Sequence, residues 1–304
     1  MYLAGCVENA VSTAFQIGMT DLLERAGAPP RGNRHDCPRC GGLRTLTNTP
    51  ECFYCHKCHW TGNVITLAKE LGIYRPMTSA EYQELHHRLD QADEEARIAR
   101  EQAQDEARRL AQGIWAKATP APDSHPYLMR KGVKAHGLRV SAGQLVIPVR
   151  DVDGMSHNLE FISPSGDKQF LTGGRVKGLC HGIGRLNGCI FLVEGFATGA
   201  TVAEATGEAV AVAFFSGNLQ HVAEALRGKY PTAELIIAGD NDWEQPDNPG
   251  VAAAKTTARR FGLRAVWPVF TEEEHGCSDF NDLAALIGVE GVRERLQLVC
   301  GKAQ

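Results

Sequence analysis

The sequence predicts an α/β chain in two folded parts. One is a small cysteine-rich hairpin unit, the other a parallel sheet flanked by helices, and a long helix connects them. Three observations carry this reading. Five cysteines fall within 22 residues, in CPRCGGLRTLTNTPECFYCHKC. Residues 79–112 contain neither Gly nor Pro and are rich in Ala, Glu, Gln and Arg. From residue 189 onward, short apolar runs alternate with helical periods, as strands buried on both faces do in a parallel sheet.

Taken in order, the N-terminal segment up to Gly27 and Pro29-Pro30 reads as helical, with Leu22, Leu23 and Ala26 on one face. Residues 44–47 and 52–54 flank the turn Asn48-Thr49-Pro50 and predict a two-stranded hairpin. Gly62-Asn63 opens a short helix that Gly72 closes. Residues 79–113 predict one long exposed helix whose apolar positions are too sparse for a coiled coil, hence a spacer. Residues 120–126 form a loop. Residues 145–149, 156–162 and 169–171 predict short strands joined by the turns Asp153-Gly154 and Pro164-Ser165-Gly166-Asp167. Strands at 189–193, 209–214, 235–238 and 265–269 then alternate with helices at 198–206, 218–228 and 251–261. The expected domains are 1–75, 76–119, 120–188 and 189–304.

The cysteines have the layout of a metal site. Cys37-x-x-Cys40 and Cys55-x-x-Cys58 are two pairs separated by 14 residues, just under the usual gap of ~15–20 for a four-thiolate zinc ribbon. Zn²⁺ takes four soft ligands at tetrahedral corners, and each C-x-x-C turn supplies two. Cys52 lies three residues before Cys55, so an extended strand turns it to the other face. His56 and His59 are alternative ligands, but the paired spacing favours the four cysteines.

The 304 residues are 43% hydrophobic with a net charge of −4, enough for about two domains and without a global polyanion-binding signature. Charge is distributed unevenly. Residues 114–190 carry ten Lys and Arg against five Asp and Glu, whereas residues 191–304 carry nine against sixteen. A basic stretch before an acidic one suits a nucleic-acid face beside a carboxylate metal site. Clustered cysteines, the lack of a secretory leader pattern and the lack of an ~18-residue apolar run point to a cytoplasmic protein without a membrane partner.

Glu194 ends the first apolar strand, and Asp240 and Asp242 follow the third. Carboxyl ends of parallel strands are where ligands bind in open sheets. Carboxylates gathered there suit Mg²⁺ or Mn²⁺, hard cations that keep positions open for substrate phosphates. Asp279 and Asp282 are either a further acidic contribution or the cap of a helix starting near Asn281. Lys168, Arg175 and Lys177 precede the acids and read either as phosphate ligands or as a solvated basic loop. Gly250-Val-Ala-Ala-Ala-Lys-Thr256 misses the P-loop pattern because Ala254 stands where its glycine belongs.

These motifs resemble known families. Val193-Glu194-Gly195, Gly239-Asp240-Asn241-Asp242 and Asn248-Pro249-Gly250 before an Ala-rich helix are similar to a TOPRIM domain. Phe53-Tyr54-Cys55-x-x-Cys58 followed by Gly62-Asn63-x-Ile65 resembles the zinc-binding domain of bacterial replicative primases. His125-Pro126-Tyr127-Leu128-x-Arg130-Lys131-Gly132 and Asp167-Lys168-x-Phe170-Leu171-x-Gly173-Gly174 resemble primases of satellite phages and plasmids. The replicative enzymes usually carry one His among the zinc ligands, whereas this chain offers four Cys, as the plasmid and phage branch does. The resemblance implies a DNA primase of a mobile element. Such an enzyme makes short RNA primers on single-stranded DNA from nucleoside triphosphates. Glu194, Asp240 and Asp242 would serve its Mg²⁺ centre, zinc its ribbon, and a separate replicative helicase its partner. Phe53, Tyr54 or Trp60 would stack on template bases, unless they form the ribbon's core. A TOPRIM nuclease and a non-catalytic nucleic-acid-binding module are the alternatives.

Overall fold

A computed structural model of the chain describes residues 18–50, 52–74 and 78–297. Residues 1–17, over which the predicted first helix begins, lie outside them. The chain divides into two units, Met1–Ala96 and Arg97–Gln304.

In the first unit, α1 (Met19–Arg25) ends before the Gly27 and Pro29-Pro30 breakers, as expected. The hairpin then proves to be the centre of a larger antiparallel sheet. Strands β1 (Pro30–Arg31), β2 (Arg34–His35), β3 (Leu46–Asn48), β4 (Cys52–Cys55) and β5 (Thr61–Asn63) lie in chain order. The outer strands are two or three residues long, too short to show alternation in a sequence. Helix α2 (Val64–Glu70) follows, and the Asn63 side chain caps it by accepting the Thr66 N–H at 2.9 Å. Leu22, Leu23, Leu46, Phe53, Val64 and Leu67 are buried together. Helix α3 (Ser79–Lys117) runs 39 residues and crosses the boundary between the units.

In the second unit, the end of α3 buries Ala111 and packs half-buried Ile114 and Trp115 against one face of a second antiparallel sheet. That sheet is β6 (Thr119–Pro120), β7 (Arg139–Ser141), β8 (Gln144–Arg150), β9 (Ser156–Ile162) and β10 (Lys168–Phe170). Its β8 is buried at Leu145, Val146, Ile147 and Val149. Alternate residues face α3 and the main core, so both faces are covered and no polar alternation shows in the sequence. Helix α4 (Pro126–Lys131) follows the predicted loop, with Pro126 at its first turn and Gly132 at its end.

The third sheet has the order β11-β13-β12-β14-β15, from β11 (His181–Ile183), β12 (Cys189–Val193), β13 (Ala209–Val212), β14 (Glu234–Ala238) and β15 (Arg264–Val266). Four strands are parallel, as predicted. The fifth, β11, is a three-residue edge strand antiparallel to β13, which makes the sheet mixed. Helices α5 (Phe196–Thr206) and α8 (Phe280–Gln297) pack on one face, around Phe191, Val193, Phe196, Leu283 and Val292. Helices α6 (Leu219–Lys229) and α7 (Pro249–Phe261) cover the other, around Ile190, Leu192, Leu219, Val222 and Ala254. All five residues of β12 are buried, so this central strand presents its first polar side chain, Glu194, only at its carboxyl end.

Candidate metal centre and acidic cleft

In the first unit, Cys37, Cys40, Cys55 and Cys58 bring their sulfurs within 4.8 Å of one another. Cys37 Sγ lies 3.7 Å from Cys58 Sγ, and Cys40 Sγ lies 3.8 Å from Cys55 Sγ. A tetrahedron with Zn–S bonds of about 2.3 Å has edges of about 3.8 Å, so the set fits zinc. Burial pushes the Cys37 thiol up to about 12, a cost that a bound cation reverses by stabilising thiolate. Thr45 Oγ1 lies 3.4 Å from Cys55 Sγ and orients it from outside the ligand set. Strand parity holds: β4 buries Phe53 and Cys55 and exposes Cys52 and Tyr54. His56 faces Thr47 Oγ1 at 3.1 Å and His59 pairs with the Tyr54 hydroxyl, so neither imidazole joins the sulfurs. Phe53 and Trp60 pack edge-on at 4.5 Å inside the core. Of the three aromatics considered for stacking, Tyr54 alone is exposed.

In the second unit, β12 and β14 are parallel neighbours with Leu192 opposite Ile237. Glu194 and Asp240 therefore leave adjacent carboxyl ends. Asp242 turns toward the start of α7, where its Oδ2 accepts the Gly250 N–H at 2.9 Å. Gly250 is required there, because a Cβ would sit 2.5 Å from the Asp240 carbonyl oxygen. The intervening Asn241 is buried. Its amide donates to the Pro268 carbonyl at 2.8 Å and its Oδ1 accepts from Asn248 at 2.7 Å. That clamp fixes the loop carrying both aspartates.

Two oxygens in this site, Glu194 Oε1 and Asp240 Oδ1, are buried without a hydrogen-bond partner. Burial, then repulsion from Asp242, lifts Glu194 to about 7. Burial, then repulsion from Glu194 and Asp279, lifts Asp240 to about 8. Orphaned, mutually repelling carboxyls fit a divalent cation, which would supply the missing positive charge. The acids do not form a closed ligand cage: among the described residues, the cysteine set is the one group of three or more ligand side chains gathered tightly. An Mg²⁺ site needs no such cage, since this ion keeps several waters and takes one or two carboxylates.

A cleft of about 290 Å³ opens beside Asp240, lined among others by Arg130, Lys131, Lys168, Thr198 and Asp279. Lys168 is the one residue of the predicted basic set that reaches it. A Cβ on Gly195 would lie 3.6 Å from Lys168 Nζ. Arg175 and Lys177 are exposed on the following loop and do not line the cleft. Asp279 accepts from Thr198 Oγ1 at 2.9 Å through one oxygen, and from the Asp282 N–H at 2.8 Å through the other. Asp282 accepts the Ser278 N–H at 2.9 Å and pairs with Lys131 at 3.6 Å. The two aspartates thus cap α8, and Asp279 additionally faces the cleft.

The sequence alone assigns no role to Arg130, Lys131, Thr198 or the buried Glu160. The first two carry a usable signal, being adjacent cations at the end of α4. Glu160 had none, because a charged residue within a strand ordinarily faces solvent.

A family model of the Toprim domain matches residues 189–290, which bears out the resemblance read from Glu194 and the Asp-x-Asp loop. Two Escherichia coli proteins, each named DNA primase TraC, are 37% identical over 193 residues and 33% identical over 190 residues. Each alignment covers 59% of this chain, but only 18% and 13% of the relatives. The chain therefore spans less than a fifth of the length of these curated relatives. Among solved structures, the zinc-binding and RNA polymerase domains of the Aquifex aeolicus primase match with a TM-score of 0.38 and 17% identity. That match covers 91% of this chain and 82% of the other.

Proposed function

We propose that this chain is a DNA primase module that synthesises short RNA primers on single-stranded DNA. The observation that carries the reading is the pairing, in one chain, of a four-cysteine set that fits zinc with a Toprim segment in which one carboxylate oxygen each of Glu194 and Asp240 is buried and unpartnered. Identity of 37% to a protein named DNA primase TraC supports it.

In this reading, Cys37, Cys40, Cys55 and Cys58 hold a structural zinc, and Glu194, Asp240 and Asp242 hold catalytic Mg²⁺ or Mn²⁺. A cation bound there supplies positive charge to the phosphate oxygens and lowers the cost of ionising the attacking 3′-hydroxyl. Arg130, Lys131 and Lys168 hold the triphosphate of the incoming nucleotide, since the cleft they line adjoins Asp240. Fixed phosphates bring the α-phosphorus into line with the hydroxyl, so positioning supplies much of the rate. Asp279 adds negative charge at the cleft and holds Thr198. Exposed Arg175 and Lys177 contact the template backbone, and Tyr54 is offered to a template base. A separate replicative helicase delivers the template. The cytoplasm is the assigned compartment; among the described residues, no helix is long and apolar enough to cross a membrane.

The test gives the full chain single-stranded DNA, Mg²⁺ and labelled ribonucleotides. Short RNA products that require both template and Mg²⁺ are expected. DNA fragments formed without nucleotides would replace this reading with the nuclease. Template binding with neither product would replace it with a binding module.

A further inference from the structure

The carboxyl edge of the third sheet is asymmetric. Beyond β14, on one side of Glu194, lie the two aspartates. Beyond β13, on the other side, lie two consecutive phenylalanines. The register brings them beside Glu194: Val193 pairs with Val212, and the Ala213 N–H donates to the Val193 carbonyl at 2.8 Å. Phe214, Phe215 and Ser216 therefore emerge one strand spacing, about 4.8 Å, from the Glu194 segment.

Phe214 has φ of 74°, a left-handed conformation that a bulky residue adopts only where its surroundings hold it there. The kink sends the two rings different ways. Phe214 turns inward and meets Phe170 edge-on at 5.5 Å, while Phe215 remains 43% exposed. Phe170 and Lys168 are alternate residues of β10, so one face of that strand carries both the cleft's lysine and the ring beneath Phe214.

Phe215 is held on a fixed turn. Its carbonyl accepts the Asn218 N–H at 3.0 Å. Buried Asn218 also donates its amide to the Ala213 and Leu179 carbonyls at 2.9 and 3.0 Å, and accepts the Gly178 N–H at 2.8 Å. Gly217 lies against the Phe215 ring, where a Cβ would come within 3.5 Å of it. An exposed, flat ring on a rigid turn loses little entropy when it receives a ligand.

We propose that Phe215 is a stacking platform for the base of a nucleotide whose phosphates occupy the acidic cleft. This rests on the primase reading. It assigns the two ends of one substrate to opposite sides of Glu194, with triphosphate at Lys168 and base at Phe215. Stacking on a π-face is sequence-tolerant, as an enzyme that accepts several nucleotides requires.

The test measures binding of ATP and of inorganic tripolyphosphate, each with Mg²⁺, to the full chain by calorimetry. Phe215→Ala and Phe215→Leu are each expected to weaken ATP about tenfold and to leave tripolyphosphate unchanged. Phe215→Trp is expected to retain ATP and to show an indole emission that ATP quenches and tripolyphosphate does not. ATP binding by Phe215→Ala equal to that of the native chain overturns the platform. So does a native chain that binds ATP no more tightly than tripolyphosphate. The two readings fail separately: primer synthesis with ATP affinity unchanged in Phe215→Ala removes only the platform. Base-dependent ATP binding lost in Phe215→Ala, without primer synthesis, removes only the primase.

Discussion

The cysteine unit and the acidic cleft hold their candidate ligands in opposite states. In the first, four sulfurs already lie within 4.8 Å of one another in a unit built on a small antiparallel sheet. In the second, Glu194 and Asp240 repel one another and each leaves one buried oxygen without a donor, while Asp242 is engaged by the helix behind it. A structural site is closed and contributes folding energy, whereas a catalytic site keeps coordination positions for substrate. The difference follows from the ligands' chemistry. Neutral thiols pack together readily, but carboxylates gather only when a cation screens them.

The comparison breaks most readily at the cysteines. Cys55→Ser is expected to release the metal and unfold the first unit, because structural zinc is worth about 10 kcal/mol or more to such folds. Hydrogen exchange should show protection lost around β3–β5 and kept in β12–β14. Next, Asp240→Asn should lower primer synthesis by about a thousandfold, the loss expected when several kcal/mol of cation-derived stabilisation are removed. It should leave zinc content unchanged, as mass spectrometry of the dialysed protein would check.

A smaller effect concerns Glu160, which lies outside both ligand sets. Burial lifts its carboxyl from 4.5 to about 7. The folded chain therefore keeps a proton there that the unfolded chain releases above about pH 4.5. Its contribution is full below that pH and is lost as pH rises through 7. Glu160→Gln mimics the protonated form. It should raise Tm by a few degrees at pH 8 and leave it unchanged near pH 4. Smallest are the helix cap and the exposed cysteine. Asp282→Ala should cost about 1 kcal/mol by denaturant titration, and Cys52→Ser should change neither stability nor metal content.

The two regions also differ in how far they could be read from residues alone. Both cysteine pairs are local, so spacing and strand parity suffice to single out the four cysteines that cluster and to set Cys52 aside. Glu194 and the Asp240–Asp242 pair were legible because each ends a run of buried apolar residues. The cleft's cations were less so. Arg175 and Lys177 are close to Lys168 in sequence, yet the loop after β10 carries them away from the cleft. Arg130 and Lys131 come from α4, whose six residues give no helical period to detect. The short strands β1, β2 and β11 exist through pairing with neighbours, a tertiary effect that two or three residues cannot signal.

The most direct measurement is Mn²⁺ binding, followed by the electron paramagnetic resonance signal of the free ion. Native chain and Cys55→Ser are both expected to take up Mn²⁺ at the acidic cleft, and Asp240→Asn is expected to leave it free. Uptake by Asp240→Asn equal to that of the native chain would contradict the assignment of the catalytic ion to Glu194 and Asp240.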